Sequence, residues 1–169
     1  LATSAELARA TDDAGLMALH HSANSRMGVS DQPITRRLAQ IAAMLLDHGA
    51  PVNVMGAPPA IQRIRPMLPP LVYACIADNF AVASVLLARG ADPNPHSDWG
   101  TPLMQACKYS PRIATALLEH GARIDAPVSH DGRTALHIMA HFPHPAAVQW
   151  LLEHGANPRA QMKDGRTPL

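Results

Sequence analysis

The sequence predicts an all-α solenoid of helix–turn–helix units stacked side by side, with β-hairpin finger loops between them. Three observations predict it. The phrase Leu-Leu-x-x-Gly-Ala occurs four times, at 45–50, 86–91, 117–122 and 151–156. A second phrase alternates with it: Gly100-Thr101-Pro102-Leu103, then Asp131-Gly132-Arg133-Thr134-Ala135-Leu136-His137, then Asp164-Gly165-Arg166-Thr167-Pro168-Leu169. The glycines of the first phrase lie 41, 31 and 34 residues apart, and the threonines of the second 33 and 33. A fixed period in that range marks stacked repeats.

Each phrase has a physical reading. Thr before Pro starts a helix, because the hydroxyl caps a backbone N–H and Pro fits the first helical position. Leu-Leu-x-x-Gly ends one, because Gly takes the left-handed conformation after the last turn. About 20 residues separate start from end, which suits two helices and a turn. The turns fall at Ser110-Pro111 and at Phe142-Pro143-His144-Pro145. After each Gly-Ala come about ten residues rich in Pro, Asn, Asp and Ser, which read as an extended loop or hairpin.

This pattern resembles the ankyrin repeat, whose units run Asp-Gly-x-Thr-Pro-Leu-His-x-Ala and close in Leu-Leu-x-x-Gly-Ala. Residues 131–156 match it closely, His137 included, and 98–122 match with one residue missing from the inter-helix turn. In 67–91 the second helix matches, but Pro69-Pro70 stands where Thr-Pro is expected, so that cap is lost. In the first unit Met17-Ala18-Leu19-His20 fills the Thr-Pro-Leu-His slot, and the closing phrase arrives about 11 residues late. The expected organisation is one array over 1–169. Its units are 13–54, 67–97, 98–128, 129–161 and a truncated unit 162–169. Insertions fall at 24–32 and 54–66. The first insertion ends in Ser30-Asp31-Gln32-Pro33, a start for a helix over 34–47 with Ile34, Leu38, Ile41 and Leu45 on one apolar face. The second carries Pro58-Pro59, Arg63 and Arg65 and reads as a tolerated surface loop, or else as a lengthened finger that touches a partner. The chain does not begin with Met and shows no signal pattern in 1–10, so the native N-terminus is expected to lie upstream.

Composition excludes several classes. Lys plus Arg is 14 and Asp plus Glu 13, a formal charge of +1, without the basic stripe nucleic acid requires. Apolar residues make up 47%, enough for a core and too many for disorder. Aromatics are only 4%, so small aliphatics must build that core. The longest apolar runs fall far short of the ~20 residues of a membrane span.

No cofactor, metal or catalytic constellation is expected. His137, His141 and His144 are spaced i, i+4, i+7, but no Glu completes a His-Glu-x-x-His arrangement, and Pro143 should end the helix before His144. The resemblance implies that His137 ties adjacent loops together by hydrogen bonds. His48, His120 and His154 stand at helix C-termini, where a charged ring suits the dipole. Cys75 and Cys107 occupy equivalent slots 32 residues apart; neighbouring helices lie about 8–10 Å apart, too far for a disulfide. They should be separate, reduced core thiols, which mildly favours cytoplasm or nucleus. Asp12, Asp13 and Asp98 read as solvated turn residues, and Trp150 as packing.

The expected function is therefore a binding and scaffolding module for a protein or peptide, with no nucleic acid, membrane or small-molecule substrate. A shallow groove suits such a partner better than a small ligand. Trp, Tyr and Arg dominate binding hot spots. Trp99 sits at a finger tip, either folded over the neighbouring finger or exposed as an anchor. Tyr109 and Phe142 end their first helices, in slots the resembled family points toward its groove, with Lys108 and His141 beside them. Arg133 lies on a finger. These six are the expected contact residues, with Asp98, His130 and Asp131 as rim charges. The competing reading is the target-recognition region of a larger enzyme, such as a ligase or bacterial effector, whose chemistry lies outside these residues.

Overall fold

The computed structural model describes residues 3, 6, 18–24, 32–56, 68–95 and 100–168. Asp12, Asp13, Met17, Asp98, Trp99 and most of both insertions, with Pro58, Pro59, Arg63 and Arg65, lie outside the described residues. Eight α-helices occur among those described, with no named strand. The chain divides into two compact units, 1–92 and 93–169.

In the first unit, α1 (Ala18–Asn24) packs on α2 (Gln32–Asp47) and on α3 (Pro70–Ile76), and α4 (Phe80–Ala88) packs on α2 and α3. Its core is small and aliphatic: Leu19, Ala23, Ala42, Leu68, Leu71, Val72, Val82 and Leu86 are buried. Helix α2 starts two residues before the expected 34 and is seven residues longer than α4. Part of the late closing phrase is thus extra helix, nearly two turns of it. The expected apolar face needs one correction: Ile41 is 47% exposed, and Ala42 is the fully buried residue. The contact stripe thus runs through Ala42 rather than Ile41.

Helix α3 begins at Pro70 with Pro69 at its N-cap and no side-chain cap, as the missing Thr implied. Helix α4 is capped by Asn79, whose side-chain oxygen accepts from Val82 N–H at 3.2 Å. The same buried side chain donates to the Ser22 carbonyl at 3.3 Å, so one residue caps its own helix and ties α1 to it.

In the second unit, α5 (Pro102–Tyr109) packs on α6 (Pro111–Glu119), α7 (Ala135–His141) and α8 (Pro145–Glu153), and α7 packs on α8. Leu103, Ile113, Leu117, Leu136 and Leu151 are each no more than 1% exposed; each contributes about 1.5–3 kcal/mol by leaving water. Thr101 caps α5 by accepting from Met104 N–H at 3.2 Å, with Pro102 in the first turn. Ser110 alone separates α5 from α6 and serves as C-cap of one and N-cap of the other, which is how the one-residue deletion is absorbed.

The repeated closing phrase has one geometry throughout. Gly49, Gly90, Gly121 and Gly155 have φ of 88°, 80°, 87° and 90°. In each case the Gly N–H bonds to the carbonyl of the second leucine, at 3.0–3.1 Å, and the following Ala N–H to that of the first, at 2.8–3.0 Å. This paired closure satisfies the last carbonyls of the helix, which explains why Gly-Ala follows Leu-Leu at that spacing.

The fingers differ from expectation. Instead of β-hairpin ladders, the described fingers are runs of turns, each closed by one backbone bond across its base: Val128 N–H to Arg133 carbonyl at 2.6 Å, and Met162 N–H to Arg166 carbonyl at 2.9 Å. The sole β-bridge among the described residues joins Gly56 and Leu68. Only Arg133 lies between the turn and Thr134, the N-cap of α7, so the second arm is too short to pair further.

Candidate partner-binding surface

Helices α5 and α7 each close on a basic residue followed by an aromatic one, Tyr109 as the last residue of α5 and Phe142 as the C-cap of α7. Lys108 and Tyr109 stand 33 residues before His141 and Phe142, at equivalent positions of adjacent first helices. Tyr109 is 42% and Phe142 53% exposed. The Lys108 ammonium lies 5.0 Å from the centre of the Tyr109 ring, within cation–π range. The His141 ring meets Phe142 edge-on at 5.1 Å. The structure therefore brings together four of the expected contact residues as two exposed aromatic–basic pairs.

Arg133 is only half-exposed and is engaged within its own finger, its Nε 2.9 Å from Asp131. The Ser129 hydroxyl donates to the same carboxylate, as does the Arg133 N–H at 3.3 Å. The Ser129 bond, helped by Arg133, holds the Asp131 carboxyl below the usual aspartate range. Asp164 and Arg166 repeat the arrangement at 2.7 Å, and the Arg166 side chain lowers the Asp164 carboxyl likewise. The Asp131 carbonyl accepts from Lys163 N–H at 2.9 Å, joining the two fingers. Asp131, expected as a rim charge, is thus a builder of the finger. His130 is exposed on that finger. Trp99 and Asp98 lie outside the described residues.

The histidines serve the frame in two different ways. His137 is buried; its Nδ1 accepts from Thr134 N–H at 3.2 Å, so the ring proton sits on Nε2, which donates to the Arg166 carbonyl at 3.3 Å. His20, in the equivalent slot of the first unit, sets its Nε2 3.1 Å from the Val54 carbonyl. Each ring ties a first helix to a following finger. At the helix ends the opposite nitrogen is used: Nδ1 of His48, His120 and His154 lies 2.7, 2.8 and 2.7 Å from the carbonyl four residues back. Arg89 fills that slot in α4 and pairs with Asp47 instead. Trp150 stacks on His154 at 3.9 Å, a packing role. Among the described residues no three His, Cys, Asp or Glu cluster in a way that could hold a metal.

Cys75 and Cys107 are both buried thiols outside any disulfide, and burial pushes the Cys107 thiol up to about 12. Such a group is packing rather than a nucleophile. No helix among the described residues is long and apolar enough to cross a membrane.

Sequence reasoning missed one series. Asn53, Asn94 and Asp125 each stand four residues after a helix-ending glycine. Asn53 accepts from Asp92 N–H at 2.8 Å, Asn94 from Arg123 N–H at 2.8 Å, and Asp125 from Asn157 N–H at 3.1 Å. Asn94 also donates to the Gly121 carbonyl at 2.9 Å. The signal was the constant offset from glycine, masked by the general richness of these loops in polar residues. A second feature, an open apolar hollow of about 670 Å³, lies beside Phe142 and is lined by Met139, Pro143, Val148 and Leu152.

Comparison with known proteins agrees with this geometry. A family model described as ankyrin repeats (3 copies) matches residues 39–128, and one described as ankyrin repeats (many copies) matches 117–169. The mitochondrial disaggregase of Bos taurus is 33% identical over 134 residues, 77% of this chain and 19% of that protein. The regulatory protein NPR6 of Arabidopsis thaliana is 46% identical over 61 residues, 36% of this chain and 13% of that protein. The ankyrin repeat and KH domain-containing protein mask of Drosophila melanogaster is 35% identical over 102 residues, 59% of this chain and 2% of that protein. The chain thus spans well under a third of the length of each of these relatives.

Proposed function

The chain belongs to the ankyrin-repeat family, whose repeats are protein–protein interaction modules and generally non-catalytic, and from that premise we propose that it is a scaffold or adaptor. It holds a protein partner against its first-helix ends and finger loops. The observation that carries this is the pair of exposed aromatics, Tyr109 and Phe142, each beside a basic residue at the same place in consecutive units. Exposed large aromatics do not help this frame fold; at a partner surface they supply area at low entropic cost. Buried reduced thiols suit a cytoplasmic or nuclear setting.

The test is a Tyr109→Ala, Phe142→Ala double variant. Both side chains are exposed, so the melting temperature should be preserved while capture of the partner recovered with the wild-type chain is lost. Preserved folding with unchanged capture would place the binding face elsewhere.

The second reading, target recognition for a larger enzyme or effector, draws on the 19% of the disaggregase that the chain covers. The complete coding sequence separates the two, since a catalytic domain in the same polypeptide would favour the second.

A further inference from the structure

We propose that the surface formed by Lys108, Tyr109, His141 and Phe142 recognises an acidic linear segment of its partner that also carries an apolar or aromatic side chain. This rests on the partner-binding reading above and adds the partner's chemistry to it.

The distribution of charge is the reason. Helices α5 and α7 contain no Asp or Glu, and their last turns carry Lys108 and His141. Asp131 and Asp164, the carboxylates of the adjoining fingers, are each engaged by the arginine of the same finger. Glu119 and Glu153 close the second helices, α6 and α8. Lys108 has no ion-pair partner among the described residues, and its cation rests over Tyr109. Among the described residues the ends of the first helices are thus basic and aromatic, while Asp131 and Asp164 are paired with arginine, Asp125 is held by the Asn157 N–H, and Glu119 and Glu153 stand on the second helices.

An acidic side chain fits Lys108; an apolar one fits the exposed rings of Tyr109 and Phe142. Complementary charge of this kind sets orientation and selects partners. A nucleic acid would find too little here, because the whole chain carries a formal charge of only +1 and both finger arginines already have carboxylate partners. Phosphate binding draws its affinity from several unneutralised cations together.

The experiment is selection of short random displayed peptides on the whole chain. A Lys108→Glu, Tyr109→Ala, Phe142→Ala variant runs in parallel, with Lys108→Glu alone as a second variant should the triple change not fold. The expected result is enrichment of acidic sequences that include an apolar or aromatic residue. A synthetic peptide from that pool should bind about tenfold more weakly to either variant and weaken as salt rises. Enrichment of basic or uncharged sequences that still depend on Tyr109 and Phe142 would overturn the acidic class and leave the binding face standing. Peptides indifferent to both variants, or no enrichment at all, would overturn both. An oligothymidine probe that binds the wild-type chain more tightly than the selected peptide, and Lys108→Glu more weakly than wild type, would overturn the proposal in favour of a nucleic acid.

Discussion

The imidazole Nε2 of His137 lies 3.3 Å from the carbonyl oxygen of Arg166, 29 residues further along the chain. Its other nitrogen is held by the amide of Thr134. One ring therefore fixes the start of a helix and the finger that follows the next one. Because the ring is buried, removing it leaves the Thr134 amide without its partner and the Arg166 carbonyl with the Met162 N–H alone. His137→Ala should destabilise the chain by about 2–4 kcal/mol, combining lost hydrogen bonds with a cavity. His130→Ala, on the exposed finger, should stay within about 0.5 kcal/mol. Urea denaturation of both variants measures the contrast, and equal effects would show that the ring contributes nothing beyond its surroundings.

Asn94 joins consecutive units by accepting from Arg123 and donating to Gly121. Asn94→Ala loses both bonds and should cost about 1–2 kcal/mol. Asn94→Asp keeps the acceptor, as Asp125 does naturally at the next junction, and should cost less than Asn94→Ala. Amide hydrogen exchange at Arg123 reports the difference directly, with faster exchange in the Ala variant than in the Asp variant.

The finger carboxylates carry a pH dependence of known sign. Asp131 is held below the ordinary 3.8 first by the Ser129 hydroxyl, and Asp164 first by the Arg166 side chain. A carboxyl whose value is lower in the folded state stabilises fully above its unfolded value, and that support is lost as pH falls through the folded one. The amide resonances of Arg133 and Arg166, which donate to these carboxylates, should titrate with midpoints below 3.8. Asp131→Asn and Asp164→Asn should each abolish the corresponding transition. Midpoints at or above the ordinary value would contradict the geometry.

Burial raises the Cys107 thiol to about 12, so almost no thiolate exists at neutral pH. Alkylation of the native chain at pH 8 should leave Cys107 unmodified, and labelling should appear only with unfolding in denaturant. Mass spectrometry of the labelled peptide reads this out; fast native labelling would mean that the helix pair opens readily.

Much of the frame is legible before any coordinates, for a local reason. Thr101 with Pro102, and Leu-Leu followed by Gly-Ala, state where a helix begins and ends through bonds made within a few residues. Repetition at a constant period then shows that units stack. The same local logic anticipates the missing cap at Pro69 and the shortened turn at Ser110-Pro111. It fails where partners come from other units. Ile41 is exposed where the apolar stripe places it in the core, because such a stripe does not reveal which flank the neighbouring helix approaches. The fingers were expected to pair as hairpins because turn-rich composition does not distinguish a ladder from a chain of turns. The Asn53, Asn94 and Asp125 series looked like loop polarity because its partners lie on the next unit.

For the binding surface the division is similar. The sequence alone determined that aromatic and basic residues recur at the ends of consecutive first helices, since position within a repeat follows from counting. Only the tertiary structure decided that Tyr109 and Phe142 are exposed and that Arg133 is drawn into its own finger by Asp131. Those outcomes depend on which groups meet across units, and a side chain's burial and partners are properties of the packed array rather than of its place in the chain.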